Sequence, residues 1–183
     1  MSEQHGGASE RVRAIFDGVV AARLRRDSVV GASDDAIERF FVEQSVGQMP
    51  SAVREVLRTI GSQPGLWFAG TNFGLHGVTA DTKRDVAATL EGVRHEIQDM
   101  TGMLVLSAHQ GYTYQVIDGA ALDQDDPPVF EIVEHEEVRQ GWRSVSAWFA
   151  DTAPDVADLA VMLPMMREVG MGEPDWAADI EAR

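Results

Sequence analysis

Val12, Ile15, Phe16, Val19, Val20 and Leu24 recur at helical intervals between arginines and acids, a spacing that predicts an amphipathic helix over 9–26. Gly31-Ala32-Ser33 breaks it. Ser33-Asp34-Asp35 then supplies N-cap chemistry for a second helix, with Ile37, Phe40 and Phe41 along one side and Gly47 at its end. Pro50 opens a third helix, in which Val53, Val56, Leu57 and Ile60 stand at i, i+3, i+4 and i+7 before Gly61 and Pro64-Gly65 stop it.

In the middle of the chain the period changes. Residues 66–69 and 74–79 have short strand character, with Gly70, Gly74 and Gly77 marking bends or close backbone approaches. Val86, Leu90, Val93, Ile97 and Met100 predict a longer helix over 79–102. Residues 103–108 and 112–117 alternate as strands around His109-Gln110-Gly111, a hairpin with Gly111 at a positive φ, and 129–133 reads as a third strand after Pro127-Pro128. Ser144 or Ser146 caps a short helix through Trp148 and Phe149. A last helix over 154–168 turns Val156, Leu159, Met162, Leu163 and Met166 inward, and 170–183 reads as a less ordered acidic tail. Helices, then a small antiparallel sheet, then helices make an α+β fold. The expected organisation is an N-terminal extension over 1–33, one α+β domain over 34–169 and the tail.

The 183 residues suit a single core. No apolar run approaches the roughly 18 residues that cross a bilayer, and the first ten residues lack the basic and apolar regions of a cleaved leader. Absence of cysteine excludes disulfides, thiolate zinc sites and thiol nucleophiles, and fits a reducing compartment. The expected location is therefore cytoplasmic.

Charge changes the picture further. The net charge is −15, and it is uneven: the first 26 residues hold five arginines against three acids, whereas sixteen acids face four arginines from Asp118 onward. Such a field repels phosphate backbones and anionic lipid, and speeds encounter with cationic partners. Neither nucleic acid nor membrane is an expected partner.

Candidate catalytic and metal chemistry is thin. In Glu134-His135-Glu136-Glu137, a strand would place only His135 and Glu137 on one side, and no histidine pair has the spacing of a helical metal motif. Ser107 and His109 could share a strand face, but no G-x-S-x-G elbow surrounds the serine. Gly70-Thr71-Asn72-Phe73-Gly74 lacks the lysine and spacing of a phosphate loop. No enzyme activity and no cofactor or metal is expected. Phe130, Trp142, Trp148 and Phe149 belong mostly to the core by ordinary burial tendency, with room for one exposed anchor.

Four patterns in fixed order carry a resemblance over about 34–151: the acidic helix from Asp34; Met49-Pro50-Ser51-Ala52-Val53-Arg54-Glu55-Val56-Leu57 with its later Gly61; the hairpin over 104–118; and Asp126-Pro127-Pro128-Val129-Phe130 followed by Ser144 to Phe149. In these the chain resembles the SUKH superfamily of bacterial immunity proteins and fungal cell-wall-assembly regulators. Three features depart from that pattern: the extra N-terminal helix, the long helix over 79–102, and the His109-Gln110-Gly111 turn. The resemblance implies a non-catalytic binding domain, most often one that sequesters a toxin domain, monomeric or a weak dimer. The expected partner is a basic toxin domain, and the expected partner-facing patch is Asp118, Asp123, Asp125, Asp126, Glu134, Glu136, Glu137 and Trp142. An acidic surface can occlude the phosphate-gripping face of a cationic nuclease and raise its on-rate. A regulatory or scaffold domain, docking through the helix over 9–26, is the alternative.

Overall fold

The computed structural model describes residues 7–136 and 138–181. Three helices come first: α1 (Ala8–Ala21), α2 (Asp34–Glu43) and α3 (Ser51–Ile60). Ser33 caps α2 by accepting the Ala36 N–H, and Gly61 follows α3, as the sequence predicts. α1 stops earlier than expected because Arg23 turns to φ 86°, after which Leu24 is fully buried.

The stretch expected to hold two short strands does something else. Residues Gly65–Phe68 form a 3-10 turn, Asn72–Phe73 form the two-residue strand β1, and Gly74–Gly77 form a single helical turn, α4. Aromatic packing explains the difference. Trp67 stacks on Phe149 with centroids 4.2 Å apart, and Phe68 stacks on Phe73 at 4.2 Å and on Trp148 at 5.5 Å. A pleated strand would send Trp67 and Phe68 to opposite faces; the turn drives both into the core. Gly74 sits at φ 66°, and a Cβ there would lie 2.5 Å from the Gly61 carbonyl oxygen.

The helix expected over 79–102 is α5 (Ala80–Leu90) only. Gly92 adopts φ 77°, and the chain continues irregularly while Ile97 still reaches the core at 6% exposure. Its apolar spacing is real, but the contacts are made without a helix.

Among the described residues, five strands form one antiparallel sheet in chain order: β1, β2 (Leu104–His109), β3 (Thr113–Ile117), β4 (Val129–Val133) and β5 (Arg139–Trp142). The hairpin turn uses Gln110 at φ 51° and Gly111 at φ 77°, two left-handed residues in succession, the type I′ signature. β5 was not foreseen; Arg139-Gln140-Gly141 carries no alternation to mark it. Ser144 caps α6 (Val145–Asp151) through the Ala147 N–H. α7 (Val156–Glu168) follows, but Met162 does not turn inward: it is 48% exposed. The expected loose tail contains a 3-10 turn, Asp175–Asp179, and packs back. Ile180 is 7% exposed and bridges Leu24, with the Glu181 N–H donating to the Arg23 carbonyl at 2.9 Å.

One polar residue lies at the centre of this assembly. β1 pairs only with Ser107 and Ala108, so the Val105 peptide groups have no strand on that side. Gln44, fully buried at the end of α2, takes the strand's place: its Nε2 donates to the Val105 carbonyl and its Oε1 accepts the Val105 N–H, both at 2.9 Å. The main-chain carbonyl of Gln44, otherwise an orphan of the helix end, accepts from Lys83 Nζ at 2.5 Å. Burial in this position lowers the Lys83 pKa, against the opposing pull of Asp99.

Replacing Gln44 by the similarly shaped methionine leaves both Val105 groups unpaired. Gln44→Met is expected to destabilise the fold by about 2–4 kcal/mol in urea unfolding; a loss below about 0.5 kcal/mol, within the range of an ordinary surface change, would contradict this role.

Candidate functional site at an acidic sheet edge

β4 leads into a turn at 134–136, in which His135 has φ 66°, and β5 follows from Arg139. Since β5 ends the strand order, one of its two edges is unpaired by the sheet. Arg139, Gln140 and Gly141 are exposed there. Beside them is a shallow depression of about 470 Å³ lined by Glu96, Glu136, Val138, Arg139 and Gln140. Glu134, Glu136 and Glu96 are all exposed. The neighbouring basic side chains are held loosely: Arg139 lies 3.8 Å from Glu136, and the His135 ring lies 3.6 Å from Glu134. At such separations and exposures the pairs neutralise little of the local field. Glu137 falls outside the described residues.

The other expected residues are placed differently. Asp118 is 6% exposed, and its carboxylate accepts the N–H groups of Gln98 at 2.8 Å, Asp99 at 2.9 Å and Ala120 at 3.1 Å. It fastens the irregular segment after α5 to the end of β3 and does not face a partner. Asp126 is also turned inward. Its side chain, 10% exposed, accepts the Ser146 N–H at 2.8 Å and the Ser146 hydroxyl at 2.6 Å, and pairs with Arg11 at 2.9 Å. It thereby joins α1 to the start of α6. Asp125 is exposed but engaged at the start of α3, accepting from the Ser51 hydroxyl at 3.0 Å, where a carboxylate suits the helix dipole. Asp123 is exposed on the same connection.

These loop acids and the 134–136 acids do not form one patch. They sit at opposite ends of the five-residue strand β4, separated by about 14 Å or more at the usual rise per residue. Trp142 is half-buried, and its Nε1 donates to Asp151 at 2.9 Å, so it is not a free anchor. Trp148 and Phe149 are fully buried, as core residues. Glu96 was missed by sequence reasoning, because a helix over 79–102 gives no sign that this residue ends beside β5.

The Ser107 and His109 pair lines a second cavity, of about 360 Å³, with Trp67, Thr71, Gln115 and Thr152. Ser107 is 2% exposed and donates to Gln115 Oε1 at 2.6 Å, the same oxygen that accepts from Trp148 Nε1 at 2.9 Å. His109 Nδ1 is 3.0 Å from the Thr71 hydroxyl. The serine therefore faces a carboxamide, which has no useful basicity toward a hydroxyl proton. Among the described residues no group of three or more His, Asp or Glu could hold a metal ion, and no helix is long and apolar enough to cross a membrane.

A scan against protein-family models matches none, and no curated protein matches the chain.

The division between internal and surface acids is measurable. Asp118→Ala is expected to lower unfolding stability by about 2–4 kcal/mol by stranding backbone donors, whereas Glu134→Lys with Glu136→Lys stays within about 0.5 kcal/mol of the parent. Equal losses for the two variants would contradict the assignment.

Proposed function

We propose that this chain is a non-catalytic protein-binding domain, an immunity protein that neutralises a basic toxin domain, most simply a cationic nuclease, by stoichiometric binding. The observation that carries the reading is the β5 edge left unpaired by the sheet, with exposed Glu96 and Glu136 lining the depression beside it and Glu134 exposed on the preceding turn. An unpaired strand edge offers main-chain donors and acceptors to an extended segment, and the surrounding carboxylates favour a segment bearing Lys or Arg. The resemblance of the motif order to the SUKH superfamily supports the same class of function.

The regulatory alternative receives less support. It needs the N-terminal helix as a docking element, but α1 already packs Val12 and Phe16 at 0% and 5% exposure, and Arg13 reaches Glu55 at 2.6 Å. What remains outward on α1 is charged or small, Glu10, Arg11, Arg13 and Asp17 with Ala14, Gly18 and Ala21, and offers no large apolar anchor.

Affinity capture of the tagged chain from its native cells, at low and high salt, tests the proposal. The expected outcome is one stoichiometric basic toxin-domain protein, retained at low salt. Glu96→Lys, Glu134→Lys and Glu136→Lys together should slow its association by about 10–100-fold at low ionic strength. Unchanged association in that charge-reversed variant would remove the acidic edge from the account, and capture only of endogenous regulatory proteins would favour the alternative.

A further inference from the structure

The sheet face beneath the Gly65–Phe68 turn is polar where a packed face is ordinarily apolar. Ser107 pairs across strands with Gln115, and His109 with Thr113, so two neighbouring pairs set four polar side chains together. On the opposite face of β3, Tyr114 and Val116 are fully inside. The four polar residues line the cavity of about 360 Å³, whose other wall includes Leu66, Trp67 and Phe68 from the turn. That volume is at the small end of ligand sites.

Hydrogen bonding within the fold uses only part of this set. Gln115 Oε1 accepts from the Ser107 hydroxyl at 2.6 Å and from Trp148 Nε1 at 2.9 Å. An indole nitrogen can only donate, so the orientation of the amide is fixed and its NH2 group is at the other end. Among the described residues that NH2 group has no hydrogen-bond partner, nor has the Thr113 hydroxyl, and both remain accessible. The Trp67 indole N–H, enclosed in the opposite wall, also lacks a partner. An occupant must therefore bring an acceptor oxygen for Gln115, and it can bring a donor for the Thr113 oxygen. Charge narrows the choice. No Lys or Arg lines the cavity, and Glu131, the cross-strand neighbour of Gln115, is half-buried on the same face. A carboxylate here would meet that like charge without a counter-ion.

We propose that this cavity binds a small, uncharged aromatic carboxamide. The carbonyl oxygen accepts from Gln115 Nε2, the ligand's own amide donates to the Thr113 hydroxyl oxygen, and the ring lies against the apolar wall of the turn. The cavity shares no lining residue with the depression beside β5, so the site is independent of the protein-binding edge.

Residue-resolved NMR titration of the full chain with benzamide tests this. Saturable shifts are expected at the Gln115 side-chain amide and at the backbone amides of Ser107, His109 and Thr113, with a dissociation constant of about 1 mM, ordinary for so small a probe. Benzoate, of the same shape but charged, should bind about tenfold more weakly or worse. Gln115→Glu, studied above neutral pH so that the new carboxyl is ionised, keeps an oxygen for Ser107 and Trp148 but turns the donor into an acceptor. It should weaken benzamide binding by about 10–100-fold. Thr113→Val, a change that a strand accepts readily, keeps the test open if the glutamate variant fails to fold, and should weaken binding by about 2–10-fold. Absence of saturable shifts at the cavity up to the solubility of benzamide, shifts confined to other surfaces, equal binding of benzoate, or unchanged benzamide binding in the folded variants would each overturn the proposal.

Discussion

A buried peptide group that no strand or helix reaches must find its hydrogen bonds in a side chain, and the β2 edge beside Val105 is where this constraint bears hardest. β1 is too short to cover that edge, and an unmade pair of backbone bonds there would be comparable to a large part of a domain's net stability. Gln44 resolves it with a side-chain amide that has the same donor and acceptor as a peptide. Doing so fixes the end of α2 against the sheet and, through its own carbonyl, draws in Lys83 from α5. The aromatic stacks of Phe68, Phe73 and Trp148 then close over the adjoining part of the sheet.

The same constraint sorts the acids of a strongly acidic chain. Asp118 and Asp126 are internal fittings: each carboxylate receives backbone donors from a segment that regular secondary structure leaves unsatisfied. Removing these two from the surface leaves Glu96 and Glu136 beside the unpaired sheet edge, Glu134 on the adjoining turn, and Asp123 and Asp125 at the far end of β4. Composition counts all of these residues alike. Their functional weight differs because three-dimensional burial, and not charge, decides which of them a partner can meet.

Much of this architecture was legible in the sequence where local chemistry is decisive. Ser33 and Ser144 cap the helices they announce, the Gln110-Gly111 pair turns the hairpin, and Pro127-Pro128 precedes β4. Legibility failed where long-range contacts override local pattern. Trp67 and Phe68 leave strand periodicity to stack in the core, Ile97 keeps helical spacing without a helix, and β5 forms because β4 offers it an edge. The run at 134–136 was weighed as a strand, and the structure makes it a turn with all three residues exposed. The inward roles of Asp118 and Asp126 depend on partners 20 residues away, Gln98 and Ser146, which no local pattern reveals. Glu96 was invisible for the same reason.

The account rests on side chains standing in for missing backbone partners, and amide hydrogen exchange resolved by residue tests this most directly. The amides of Val105, Gln98, Asp99 and Ser146 should be protected to a degree comparable with those of the central strands, because each opens only when its side-chain partner is released. Exchange of these amides at the rate of exposed loop residues would contradict the account.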